Sequence, residues 1–301
     1  MDEAWSMLKA VAGQPLFPIK RHEKLPNLEG FQMGRRGLSS AALPSSLSYY
    51  GQKGWLVPQL REDFEPYREH GSFHDVLGGS GAALYGVNPK RGSWHDTSEP
   101  LVNFKQHLKR GLTIPHGGPN TKEVFNELRD TYNAVRRAAP HSKEAAQLYF
   151  ILNRRGWRGM MEENKQGNLN TSWGGPNPSL EREFDLTPYQ RPLHRWKMGQ
   201  QDFRTTMQQL RGDPDAYAFL DGPYPTRQGK YGQDDFPDEL WEQIRDLALE
   251  HKGPSMTTTY ATPEMLDLFD TGDFDVELQR PPHVQRTAAQ TPELIARRGP
   301  A

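Results

Sequence analysis

Hydrophobic and polar positions along the chain switch between a strand-like and a helix-like period, which predicts strands interleaved with helices. Ser72-Phe73-His74-Asp75 runs into Val76-Leu77-Gly78-Gly79-Ser80-Gly81 and then Ala82-Ala83-Leu84-Tyr85, a strand, a glycine turn and a helix start. Ser93 to Asp96 reads as a second strand, and Thr97-Ser98-Glu99-Pro100 opens a helix carrying Leu101, Val102, Phe104 and Leu108. Two helices are expected from Asn120 to Ala139 and from Ser142 to Leu152, separated by Pro140. Further on, Asp202 to Leu210 predicts a helix and Ala216 to Asp221 a buried strand. Pro237 to Glu250 predicts a helix with Leu240, Ile244 and Leu247 inward. Ser255 to Tyr260 reads as a β-branched strand, Pro263 to Phe269 as a short helix, and Phe274 to Gln279 and Glu293 to Ala296 as weaker closing elements. Helices between successive strands imply an α/β fold, a mostly parallel doubly wound sheet covered on both faces.

Two stretches stand outside this pattern. Residues 1–48 have no clear period, hold Pro15, Pro18, Pro26 and Pro44, and end in a small-residue tract, so they read as an irregular N-terminal arm. After the helices that begin near 120, the composition from Asn153 to Gly199 shifts to glycine, proline, asparagine, tryptophan and basic residues. The expected organisation is one domain built from 49–119 and 200–301, interrupted by an insert at 120–199. Near its start, Leu56 and Leu60 share a helix face that Pro58 is expected to limit.

Composition narrows the chemistry. The 301 residues contain 28 glycines and 25 prolines, and mean hydropathy is -0.85, so much of the chain is expected to be loop. No apolar run approaches the roughly 18 residues of a membrane span, and Met1-Asp2-Glu3-Ala4-Trp5 lacks the basic and apolar regions of a signal peptide; a soluble, intracellular, cytoplasmic protein is expected. With no cysteine there is no disulfide, no thiolate zinc site and no base chemistry through a cysteine adduct; no metal site is expected. A net charge of -1 gives no global attraction to nucleic acid, so such a partner must be met by local basic patches.

Candidate chemistry gathers at strand ends. Asp221-Gly222-Pro223-Tyr224 follows the buried strand, where an acid, a backbone carbonyl and a flat ring suit a grip on an amine-bearing base; a simple strand-ending turn is the alternative. Glycines at 78–81 let backbone approach a ligand at a helix start, or serve turn geometry alone. Asp96 ends the second strand, where such folds place a ribose acceptor, although Asp96 or Ser98 also suits a helix cap. Tyr49-Tyr50-Gly51-Gln52-Lys53 is an aromatic, glycine and lysine turn, with Lys53 either at a ligand or at a solvated helix start. Arg154, Arg155, Trp157, Arg158 and Lys165 form one basic and aromatic cluster, and Arg191, His194, Arg195, Trp196 and Lys197 a second, suited to phosphate contact and base stacking or to plain solvated surface.

Taken in order, these segments resemble the DNA adenine methyltransferase family, particularly its bacteriophage-type members. Tyr49 to Trp55 is similar to the family's N-terminal aromatic, glycine and lysine motif, Asp75 to Ala82 to its glycine-rich cofactor loop, and Asp96 with Leu101-Val102-Asn103-Phe104 to its second acidic motif. Phe150-Ile151-Leu152-Asn153-Arg154, with Gly159, Asn164, Lys165, Gly167, Asn170 and Gly174, resembles the segment that faces DNA. Asp221-Gly222-Pro223-Tyr224 stands at the catalytic Asp-Pro-Pro-Tyr.

The resemblance implies S-adenosylmethionine as cofactor, held by Tyr49, Lys53, Asp75, Gly79, Gly81, Asp96 and Asp221. It implies double-stranded DNA as partner, met by Arg154, Arg155, Trp157, Arg158, Lys165 and Asn170, and N6 of a flipped-out adenine as acceptor, served by Asp221, Gly222, Pro223 and Tyr224. Four positions depart from the pattern: Gly222 replaces a proline, His95 an asparagine, Trp157-Arg158-Gly159 a Phe-Asn-Gly, and Gln52 a small residue. Glycine at 222 keeps the carbonyl, frees φ and is expected to leave space beside the amine. The alternatives are therefore an enzyme that modifies another base or transfers a bulkier group, or a DNA-binding protein with a decayed active site.

Overall fold

Five parallel strands and an antiparallel pair form one seven-stranded sheet in a computed structural model that describes residues 43, 45–48, 53–115, 118–181, 184–223, 238–279 and 292–300. The strands are β1 (Ser72–Asp75), β2 (Gly92–Asp96), β3 (Trp196–Gln200), β4 (Ala216–Asp221), β5 (Ser255–Tyr260), β6 (Asp275–Gln279) and β7 (Glu293–Arg298), in the order 3-2-1-4-5-7-6. Strands 3, 2, 1, 4 and 5 run parallel, and β7 runs antiparallel to both β5 and β6.

Successive residues of a strand face opposite sides of the sheet, so a central strand with helices on both sides must be apolar throughout. In β4, Tyr217 and Phe219 join one core with Phe73, Trp94 and Met256, whereas Ala218 and Leu220 join the other with Trp241, Ile244 and Leu294. This two-faced burial is the doubly wound arrangement the alternation predicts. The chain winds outward from β1 to β3, returns to β4 beside β1, and continues outward the other way, so the carboxyl ends of β1 and β4 flank the crevice where such sheets hold ligands.

The helices that cover the sheet are α1 (Val57–Phe64), α2 (Ala82–Val87), α3 (Glu99–Lys109), α4 (Lys122–Ala138), α5 (Lys143–Arg155), α6 (Thr187–Leu193), α7 (Phe203–Leu210), α8 (Asp238–Glu250) and α9 (Pro263–Phe269). Three details differ from the sequence pattern. Pro58 sits in the first turn of α1, where its missing N–H costs nothing, and so starts the helix instead of limiting it. The buried face of α8 is Trp241, Ile244 and Ala248, with Leu240 and Leu247 only partly covered. The strand β3 carries no clear sequence signal, because it lies inside a basic cluster. Trp196 is 1% exposed and donates Nε1–H to the Pro89 carbonyl at 3.1 Å, so the chain re-enters the sheet at 196, before the boundary of 199. Trp196 is therefore core and not a stacking surface.

Asn153, fully buried at the end of α5, holds the backbone of Ser48 on both sides. Ser48 N–H donates to its Oδ1 at 2.9 Å, and its Nδ2 donates to the carbonyls of Ser48 at 2.8 Å and Gly159 at 3.0 Å. Ser48 is thereby pinned to the end of α5 and, through Asn153, to Gly159. Tyr49, Tyr224, most of 1–48 and the expected loop from Pro225 to Asp235 lie outside the described residues. Among the described residues no helix is long and apolar enough to cross a membrane, and no cluster of three or more His, Asp and Glu is placed to hold a metal.

Candidate active site

Three carboxylates arrive at one edge because three neighbouring parallel strands each end in aspartate: Asp75 on β1, Asp96 on β2 and Asp221 on β4. The turn after β1 is shaped around them. Gly79 and Gly81 have φ of 46° and 76°, left-handed values that favour glycine. A Cβ on Gly78 would lie 2.1 Å from Trp94 Nε1, so a side chain there is excluded. Gly79 N–H donates to Asp96 Oδ2 at 2.9 Å and Ser98 N–H to Asp96 Oδ1 at 2.8 Å. Asp96 thus ties the glycine turn to Ser98, the residue that precedes α3.

Beneath the turn lies Lys105, which sequence reasoning missed. Its Nζ donates to the Ser80 carbonyl at 2.6 Å and sits 4.9 Å from the Tyr85 ring centroid. Burial pulls its pKa down to about 7, against the opposing attraction of Asp75 and Asp96. A lysine on the same face as Leu101 and Leu108 was the available signal, since a charge on a core stripe needs a partner. Burial, and then the neighbouring Asp221, push the Asp75 carboxyl well above the usual carboxylate range, with Lys105 pulling the other way. Asp75 is 2% exposed, and its Oδ2 has no hydrogen-bond partner among the described residues. Burial also raises the Asp96 carboxyl, while the Ser98 and Gly79 N–H groups lower it.

Among the described residues, Asp221 is held at Oδ1 alone. Lys53 Nζ lies 3.0 Å from its Oδ1, and Thr258 Oγ1, from β5, donates to the same oxygen at 2.8 Å. Lys53 is 2% exposed and is also 3.7 Å from Glu293 Oε2. Lys53 therefore stands at the acid of the Asp-Gly-Pro-Tyr motif, engaged by two protein carboxylates, and neither at a solvated helix start nor turned to solvent. Gly222 is buried, and a Cβ there would meet Trp241 Cη2 at 2.9 Å, Cζ2 at 3.1 Å and Ile244 Cδ1 at 3.4 Å. The space expected beside Gly222 is filled by the Trp241 ring. Pro223 is exposed. Thr258 and Glu293 carry no motif signal; only the strand pairing brings them here.

The basic residues after α5 divide. Trp157 is 51% exposed, Arg158 lies with its guanidinium 5.4 Å over the Trp157 ring, and Lys165 and Asn170 are exposed. Arg154 is partly buried and donates to Ser48 Oγ at 3.2 Å. Arg155 is 2% exposed and donates to the carbonyls of Gly118, Pro119 and Leu180, so it ties the end of α5 to the chain before α4 and to Leu180 and is enclosed rather than at the surface.

A seven-stranded sheet of this order, with acids at three adjacent carboxyl ends and a glycine turn between them, defines a doubly wound α/β protein with its candidate site at the switch point. The model of the D12 class N6 adenine-specific DNA methyltransferases matches residues 49–268. The chain belongs to that family. Among solved structures it is similar to a Haemophilus influenzae protein described as a methylase, at 12% identity over 82% of this chain and 89% of that one, with a TM-score of 0.33. It is also similar to an rRNA methyltransferase from Streptomyces viridochromogenes, at 12% identity over 85% and 90% of the two chains, with a TM-score of 0.35. Comparison with curated proteins gives no match.

Proposed function

We propose that the chain transfers a methyl group from S-adenosylmethionine to N6 of adenine in double-stranded DNA, with Asp221 Oδ2 and the Gly222 carbonyl accepting the two N–H bonds of the amine. The observation that carries this is the grip on Asp221: among the described residues Lys53 and Thr258 both reach Oδ1 and none bonds to Oδ2, which suits Oδ2 as an acceptor. The adenine amine is a poor nucleophile because its lone pair is delocalised into the ring. Two acceptors fixed in place favour a pyramidal nitrogen whose lone pair points away from them, and positioning with electrostatics then supplies the catalysis. The base must leave the duplex to reach this edge, and Tyr224 is the proposed ring for it to stack on.

The residues present fit the cofactor. Asp75 Oδ2 is a buried acceptor without a partner among the described residues, suited to an ammonium. Gly79 and Gly81 keep the turn free of side chains, and Asp96 lies beside it for a ribose hydroxyl. Bound there, S-adenosylmethionine supplies an electrophilic methyl on a sulfonium; Tyr49 is assigned to the same site. Incubation with adenine-containing DNA and labelled cofactor, followed by mass analysis of the digested nucleosides, tests the reading. N6-methyladenine is expected. Folded protein that binds both substrates and methylates no DNA sequence rejects it.

The charge state of Asp75 makes cofactor binding pH-dependent. A cationic ligand prefers the ionised acid, and burial with Asp221 nearby keeps the free acid protonated above the usual range. Its affinity is therefore expected to rise with pH through that raised pKa, by up to about tenfold per pH unit, and to level off above it. Loss of charge from Lys105 around pH 7 acts in the same direction. Calorimetry of S-adenosylmethionine binding across pH checks this; superimposable curves for the parent and Asp75→Asn would show that another group is responsible.

We assign DNA recognition to the insert, from 120 to about 195, with Trp157, Arg158, Lys165 and Asn170 at its contact surface and Arg154 beside them. Arg158→Ala is expected to weaken binding uniformly across sequences and to reduce the salt slope by about one. Arg155→Gln, by contrast, is expected to lower the melting temperature and leave that slope unchanged.

A further inference from the structure

We propose that Glu293 is a positioning residue for methyl transfer, acting through Lys53 on Asp221; the inference rests on the reading of Asp221 as the amine acceptor. Glu293 lies beyond the span 49–268 that the family model matches, at the start of the antiparallel strand β7. Its register partner is Tyr260, at the carboxyl end of β5. A strand running the opposite way thus begins at the same edge where β4 ends, and delivers a fourth carboxylate there. The side chain is 7% exposed, with Oε2 3.7 Å from Lys53 Nζ, while Lys53 stands 3.0 Å from Asp221 Oδ1.

One buried ammonium therefore lies between two carboxylates, closer to the one on which the chemistry depends. A buried cation must be compensated. Were Asp221 the sole partner, the ammonium would claim it fully, and a carboxylate neutralised in this way is a weaker acceptor for an incoming amine. Glu293 takes up part of that charge. The two carboxylates and one ammonium then carry a net negative charge that Asp221 can offer, while Lys53 and Thr258 still fix Oδ1 and so the rotation of the group. Glu293 touches no reacting atom in this scheme; its effect passes through Lys53.

A double-mutant cycle on the full chain tests this, with Glu293→Gln, Lys53→Met and the double variant, read by steady-state transfer of labelled methyl to DNA and by thermal melting. Glu293→Gln is expected to lower kcat about tenfold, the scale of coupling within one charged network, with KM for both substrates within about twofold. In the Lys53→Met background the same change is expected to have no further effect. Glu293→Asp keeps the charge on a shorter stem and is expected to recover part of the lost kcat. If the glutamine variant does not fold, the aspartate variant carries the same cycle, its smaller loss again vanishing without Lys53. An unchanged kcat in a folded variant, or losses that multiply in the double variant, overturn the inference while the parent still methylates DNA. A parent that transfers no methyl overturns the functional reading and this inference with it.

Discussion

Asp221→Asn is expected to lower kcat about 10³-fold or more, equivalent to about 4 kcal/mol of lost transition-state stabilisation, with binding of cofactor and DNA within a few-fold of the parent. The size follows from which oxygen is occupied. Lys53 and Thr258 are both donors, and both reach Oδ1. In the variant they select the amide oxygen for that position, which turns the amide NH2 to where Oδ2 stood. A donor then faces the N–H groups of the amine where an acceptor is needed. The substitution thus inverts the interaction, a larger effect than weakening it. The fold is expected to survive, because Lys53 retains Glu293 as a charge partner. Single-turnover methyl transfer with calorimetric titration of both ligands measures this. A variant within tenfold of the parental kcat would remove Asp221 Oδ2 from the mechanism.

How much of this was legible in the chain depended on whether the cause was local. The β4 strand, the glycine turn and the end of β2 were readable because apolar runs and turn residues act within a few positions. The three acids at one edge followed from strand alternation and a parallel sheet. What could not be read was pairing. Thr258 and Glu293 reach Asp221 only because β5 lies beside β4 and β7 runs back along β5. The conflict between Arg154 and Arg155 was equally hidden, since adjacent helical residues face different ways and only packing decides which guanidinium is enclosed. The basic residues around Trp196 conceal a strand for the opposite reason: Trp196 is the one buried position of β3, and the exposed Arg195 and Lys197 on either side of it give the stretch the look of a surface cluster.

Gly222 is the position where sequence and structure give opposite expectations, and Gly222→Pro separates them. Viewed as a departure from Asp-Pro-Pro-Tyr, the change restores the family residue. It should then lock φ, steady the carbonyl and stabilise the fold by about 0.4–1 kcal/mol through the unfolded chain. The structure reverses the sign. Trp241 is fully buried, and its outer ring atoms stand 2.9 and 3.1 Å from where a Cβ at 222 would lie. A proline ring and this indole cannot both keep their places. Overpacking of this kind costs about 1–3 kcal/mol, more than the gain, and any backbone shift that relieves it moves the carbonyl meant to meet the amine. Gly222→Pro is expected to lower the melting temperature by a few degrees and kcat at least about tenfold. Trp241→Phe, which removes the outer ring atoms, is expected to destabilise the parent through the cavity it leaves, yet to stabilise the Gly222→Pro protein. That reversal of sign, read from thermal melts of the four proteins, marks Gly222 and Trp241 as one exchanged packing unit, in which a small residue in the motif is matched by a large one on α8. Independent, additive effects would show that the glycine is not compensated by the tryptophan. Greater activity in Gly222→Pro alone would instead restore the view of Gly222 as a lesion in the active site.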